Sequence, residues 1–190
     1  MKLQETSSHV KVPVPQFTTI PVGLQLQAQY QSPVSAYAMH YLWKTVQEVL
    51  HNIVTIHSPH IPIVNNIAMD WDFQGAMLDS DIEKHDIVLM ISMNGMQLYE
   101  GKEFDSWMYI WIIGSLSSNI CYCKLNVLPG GFIPGLKKPK NVNFFLFPGM
   151  HHLAAIQHKE LAIWNSVSNL HYLAHVYLHF TTANGPSLIY

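Results

Sequence analysis

The chain has 190 residues, of which 49% are apolar and 12% charged, and a formal net charge of −2. The length suits one domain, or one domain with a tail, and the apolar share is ample for a core. So small a net charge gives no long-range steering toward nucleic acid or an anionic membrane. A charged fraction about half the usual share fits a piece of something larger or a poorly soluble chain.

Residues 1–34 hold Pro13, Pro15, Pro21 and Pro33 together with many Gln, Ser and Thr. They read as an extended or disordered arm. No basic stretch leads into an apolar run there, so no signal peptide is expected. From Ser35 a helix is predicted, with Leu42, Val46, Val49, Leu50 and Ile53 on one face. It ends before Pro59 and Pro62, which forbid continuation.

Residues 35–86 thus make a helix followed by an acidic linker. The stretch Met69–Asp86 has room for a short helix and a turn. Its Asp70, Asp72, Asp79 and Asp81 invite a calcium assignment, but the glycine and terminal glutamate of a calcium loop are missing. A solvated linker is the expectation.

From Ile87 the texture changes. "IVLMISM", "DSWMYIWIIGSL" and "ICYCKLNVL" read as three strands, with Gly101 as the turn residue between the first two. In the second, Trp107, Tyr109 and Trp111 alternate with Met108, Ile110 and Ile112. Two apolar faces mark a central strand covered on both sides. The run Met108–Ile113 is too short to span a bilayer. Cys121 and Cys123 would share a strand face, and two thiols alone do not make a metal site.

"PGGFIPGLKKPKN" reads as a proline–glycine loop carrying Lys137, Lys138 and Lys140, the one basic cluster. After Pro148 a helix is expected, marked by Leu153, Ile156, Gln157, Glu160, Leu161 and Trp164. "HYLAHVYLHFTTANG" supplies a further strand. His171, His175 and His179 recur every fourth residue, but no glutamate completes a zinc-protease pattern. On a strand they would stand about 13 Å apart, too far for one ion.

Strand, strand, strand, helix, strand is how a ribonuclease H-like α/β fold begins. The first strand and the strand after the helix then lie side by side, and their ends carry Asn94 and Asn184. Asn94 has two readings: an Asn–Gly turn residue, or the successor of a metal-binding acid.

Five blocks, "DIVLMISMNGMQLY", "DSWMYIWII", "LPGGFIPGLKKPKN", "FLFPGMHHLAAIQ" and "TANGPSLIY", resemble transposases of the CACTA (En/Spm-like) group in its fungal form. The resemblance covers about residues 73–190, in the family's block order, which makes 87–190 a partial ribonuclease H-like transposase core. It implies metal-dependent DNA cleavage and strand transfer, with three carboxylates holding two Mg²⁺ or Mn²⁺ ions. The family's first and second acids correspond to Asn94 and Asn184, and the third is expected downstream of Tyr190, beyond this sequence.

The resemblance therefore implies a truncated, inactive remnant of a DDE-type transposase, with no metal bound and Mg²⁺ or Mn²⁺ only in its ancestor. Its implied partners are DNA, weakly, through Lys137, Lys138 and Lys140, or related transposase chains. No membrane or small-molecule substrate is expected, and the location is intracellular, nuclear for a working transposase. A non-catalytic binding module and a histidine-based metal or structural protein are the alternative expectations. All ten basic residues are lysines, beside twelve histidines. With Ser187 and Leu136 standing where the family carries Gly and Pro, every departure is one cytosine-deamination step away. An excess of TpG and CpA in the coding DNA tests that origin; a normal dinucleotide balance removes it.

Overall fold

The computed structural model describes residues 3–5, 11–13, 17–56, 67, 70–79, 82–97, 105–134 and 141–183. In chain order the strands are β1 (Leu3–Glu5), β2 (Lys11–Pro13) and β3 (Thr18–Thr19), followed by helices α1 (Val22–Gln29), α2 (Pro33–Ala38), α3 (Tyr41–Ile56) and α4 (Trp71–Leu78). Then come β4 (Ile87–Gln97), β5 (Asp105–Ile113), β6 (Val127–Pro134), α5 (Val142–Lys159), β7 (Leu161–Asn165), β8 (Leu170–Ala174) and β9 (Val176–Ala183).

The chain is mixed α/β. Its main sheet has five strands in the order β3-β6-β5-β4-β9, and two two-stranded sheets pair β1 with β2 and β7 with β8. β5 lies at the centre, antiparallel to both β4 and β6. β9 runs parallel to β4 after the crossover through α5. A parallel neighbour needs such a crossover because a tight turn cannot reverse the chain twice.

Alternation along β5 sends Tyr109 and Trp111 to one face and Ile110 and Ile112 to the other. On the first face Tyr109 meets Phe145 of α5 edge-on, with ring centres 5.2 Å apart. On the second, Leu42 and Val46 of α3 and Phe73 and Met77 of α4 pack with Val88. Both faces are covered, as the two apolar faces of β5 implied. The helices on the second face, α3 and α4, come from the N-terminal side of the chain.

The extended arm is corrected too. Val22, Leu26 and Tyr30 recur every fourth residue and are all buried, so the segment coils to bury one stripe despite its prolines. Pro21 sits at the N-cap and Pro33 at the first turn of α2, where a missing N–H costs nothing. α3 ends at Ile56, ahead of Pro59 as expected. The acidic stretch folds back by packing Phe73, Met77 and Ile82 into the second core cluster.

The third strand is displaced by several residues. Residues 120–126 are turns, and the pairing segment is Val127–Pro134, of which Pro129–Pro134 read from sequence as the start of a loop. Gly130 and Gly131 explain the difference: a methyl group at either would overlap the Tyr109 ring. Glycine in a strand marks such close approach as well as a break. Cys121 is buried and Cys123 exposed, so the two thiols do not share a face.

The helix after the loop starts earlier and stops sooner than its apolar spacing implied. Asn141 caps it by accepting from the Phe144 N–H at 3.0 Å, and Pro148 lies inside it. Leu161 and Trp164 belong to β7. The break falls at Glu160, whose φ of 62° and ψ of 162° no α-helix tolerates.

Candidate functional site

Asn94 stands in β4, one residue past the last parallel pair with β9 among the described residues. That pair is Met93 with Ala183, the residues that precede Asn94 and Asn184 in the sequence. On the other side β4 keeps pairing with β5, Asn94 opposite Met108 and Gly95 opposite Trp107. Asn94–Gly95 is therefore strand and not turn, which removes the turn reading.

Alternation places Asn94 on the same sheet face as Ser92 and Met90. The residue is half-buried, and its side-chain oxygen is fully buried with no hydrogen-bond partner among the described residues. A buried acceptor without a donor costs about 1–3 kcal/mol and calls for an explanation. Asn184, Lys137, Lys138 and Lys140 lie outside the described residues.

The histidines do not converge. His171 is exposed on β8 opposite Trp164. His175, between β8 and β9, places Nε2 3.1 Å from Glu160 Oε1. His179 on β9 places Nε2 3.0 Å from Asp70 Oδ2, and its ring lies edge-on to Phe73. His151 is exposed beside Phe147, while His152 Nε2 accepts from the Gly23 N–H at 3.4 Å. Among the described residues no three His, Cys, Asp or Glu side chains are grouped to hold a metal ion. His57, His60 and Asp81 fall outside the described residues, as does the side chain of Asp72.

Sequence reasoning missed a second polar cluster. The His85 ring stacks on Tyr172 with centres 4.2 Å apart, and His40 lies 5.8 Å from His85. Asn165 Nδ2 is 3.4 Å from His40 Nε2, and Tyr30 packs edge-on to both His40 and Tyr172. Burial first, then His85, Lys84 and Lys44, lowers the His40 pKa against a hydrogen bond to the Lys84 backbone. Burial and Lys84 lower that of His85, with Asp86 and Glu83 opposing. Burial raises both tyrosines, Tyr30 well above its usual value. These residues come from four separate segments, so no local spacing could have announced them.

Comparison with protein-family profiles, with curated proteins and with solved structures finds no match. Among the described residues no helix is long and apolar enough to cross a membrane.

Proposed function

We propose that the chain is a catalytically dead derivative of a DDE-type DNA transposase built on a ribonuclease H-like core. The observation that carries the reading is the β4–β9 register. Two adjacent parallel strands, joined through α5, pair Met93 with Ala183, and the next residues in sequence are Asn94 and Asn184. The strand order β6-β5-β4-β9 is the order such a core requires. The orphaned Asn94 oxygen adds support, because a position evolved to face a cation has no protein donor to offer its acceptor.

The donor set does not fit the ions of the ancestral reaction. Mg²⁺ and Mn²⁺ want anionic oxygen ligands, and a carboxamide offers one neutral oxygen. With amides at both positions no metal-activated water or 3′-hydroxyl is expected, and the chain performs no DNA cleavage on this reading. Any retained role would be as a binding partner of DNA or of related chains, in the nucleus.

Calorimetry with Mg²⁺ and Mn²⁺ tests the reading on fresh protein beside an Asn94→Asp/Asn184→Asp double variant. The expected result is binding by the double variant alone. If neither binds while both melt cooperatively, the two positions do not converge and the transposase reading falls. Freshness matters because Asn–Gly pairs deamidate readily, and both sites are Asn–Gly. Aged protein would regain aspartate by chemistry alone.

A further inference from the structure

The β7–β8 hairpin is a two-stranded sheet of its own, and its two ends are held differently. At the base Leu161, Ile163 and Ala174 are buried in the main core. His175 Nε2 lies 3.1 Å from Glu160 Oε1 there, and a proton on the imidazole strengthens that contact. At the tip, residues 165–170, only Asn165 is buried, while Val167 and Leu170 are exposed. Apolar burial therefore does little to hold the tip, and polar contacts decide its position.

Two such contacts reach the N-terminal segment. The Ser166 N–H donates to the Tyr30 carbonyl at 3.1 Å. Asn165 Nδ2 lies 3.4 Å from His40 Nε2. Asn165 Oδ1 accepts from the Val167 N–H at 2.9 Å and the Ser168 N–H at 3.4 Å, so the amide cannot turn round without orphaning both. Its NH₂ group therefore faces His40, and the ring nitrogen opposite has to accept. The ring's bond to the Lys84 backbone favours the charged imidazole, so the ring donates in it. Nδ1 then carries the proton and Nε2 the lone pair, which engages both nitrogens of the neutral ring.

A second proton enters only at Nε2, where it sets N–H against N–H. The charges around the ring oppose it as well, since Lys84, Lys44 and His85 all act on His40. Asp86 and Glu83 act on His85, and Asp86 already accepts from the His175 and Glu83 N–H groups. Tyr30 and Tyr172, the other titratable neighbours, are kept neutral by burial. Ser166 Oγ and His85 Nδ1 are buried without partners among the described residues, so opening to water returns a hydrogen bond to each.

We propose that the hairpin tip is an acid-released latch, in which a proton at His40 Nε2 expels the Asn165 amide and frees residues 165–170 from Tyr30. The base stays in place, because its core contacts do not titrate and its His175–Glu160 contact tightens. The latch uses none of the residues that carry the transposase reading.

Its direction with pH follows from the open tip. There His40 returns to its ordinary value of 6.5, whereas in the closed tip it is lowered. The open tip therefore takes up the proton first. Closure is strongest above 6.5 and is lost as the pH falls below it, by about tenfold per pH unit at most for one proton.

Amide hydrogen exchange of the full chain, read by ¹H–¹⁵N spectra and corrected for the intrinsic pH dependence of exchange, tests the latch. Protection of the Ser166 amide should fall from 6.5 downward and level off where the His40 ring signal titrates. Amides of β4 and β5 should keep their protection. His40→Gln keeps an acceptor for Asn165 and removes the proton site, so Ser166 protection should no longer change with pH. His85→Phe leaves His40 in place and should retain the release. Level Ser166 protection in the unmodified chain, or a fall shared with β4 and β5, overturns the proposal. So does an unchanged fall in His40→Gln, or one abolished by His85→Phe. Should His40→Gln not fold, the unmodified chain decides: a fall that continues past the His40 titration overturns the latch, and one that levels there supports it.

Discussion

Two clusters tie the N-terminal helices to the rest of the molecule, and they are built on different physics. α3 and α4 meet the sheet through Leu42, Val46, Phe73, Met77, Ile82 and Val88, apolar side chains all buried. The α1–α2 segment meets the β7–β8 hairpin through Tyr30, His40, Asn165 and Tyr172, with His85 stacked in from the turn before β4. The first contact depends on removing surface from water, which is non-directional and insensitive to pH. The second depends on two imidazoles remaining neutral, so it is sensitive to protons. Apolar patterning supplies attachment, and aromatic–histidine packing makes an attachment conditional.

The largest expected effect is on the apolar cluster. Leu42→Ala should lower unfolding stability by about 2–4 kcal/mol. The loss should be equal in acid and at neutral pH, measured by denaturant melts, and a pH-dependent loss would show that the clusters are not separable. Next is Gly131→Ala, which leaves both clusters untouched and forces a methyl group onto the Tyr109 ring. About 1–3 kcal/mol of overpacking is expected, with the pH profile unchanged.

Glu160 joins α5 to the hairpin side with a φ of 62° and ψ of 162°, a region kept almost wholly for glycine. Releasing that strain is worth about 1–3 kcal/mol, against under about 1 kcal/mol for the half-exposed ion pair to His175. Glu160→Gly should therefore raise the melting temperature, and a fall would mean that the His175 contact fixes the hairpin.

The smallest effect is the one that defines the second cluster. His40 and His85 have lowered pKa values in the folded chain, so the unfolded chain binds more protons just below their ordinary value of 6.5. Stability from this cluster is present above pH 6.5 and is lost as pH falls below it toward the lowered folded-state values. His85→Phe keeps a ring against Tyr172 and removes one titrating group. It should flatten the melting temperature below neutrality, and an unchanged acid slope would assign that slope elsewhere.

Legibility followed the range of the interactions. β4, β5 and α3 were readable because each carries its own periodicity: Trp107, Tyr109 and Trp111 against Met108, Ile110 and Ile112, or Leu42, Val46 and Val49 one turn apart. β6 was not, because "LPGGFIP" carries proline and glycine, which locally signal a loop. The Tyr109 ring, on another strand, makes those glycines fit. The extent of α5 failed for the same reason: Leu161 and Trp164 sit at helical spacing, yet a left-handed residue intervenes and β8 supplies a partner. Of the candidate site, Asn94 could be named from its place on a strand. Whether it turned or stayed in register depended on β5. The His40–His85 cluster gave no linear signal, since it joins residues distant along the chain.

By itself, then, the sequence determined the periodic elements, the central place of β5, and the amides at 94 and 184, since these depend on side-chain type and on neighbours within a turn or a strand. Only the tertiary structure decided that Gly130 and Gly131 form a strand, that α3 and α4 close the sheet face opposite α5, and that Met93 pairs with Ala183. Those outcomes depend on which surfaces meet, and a surface acquires its complement only when the chain has folded back on itself.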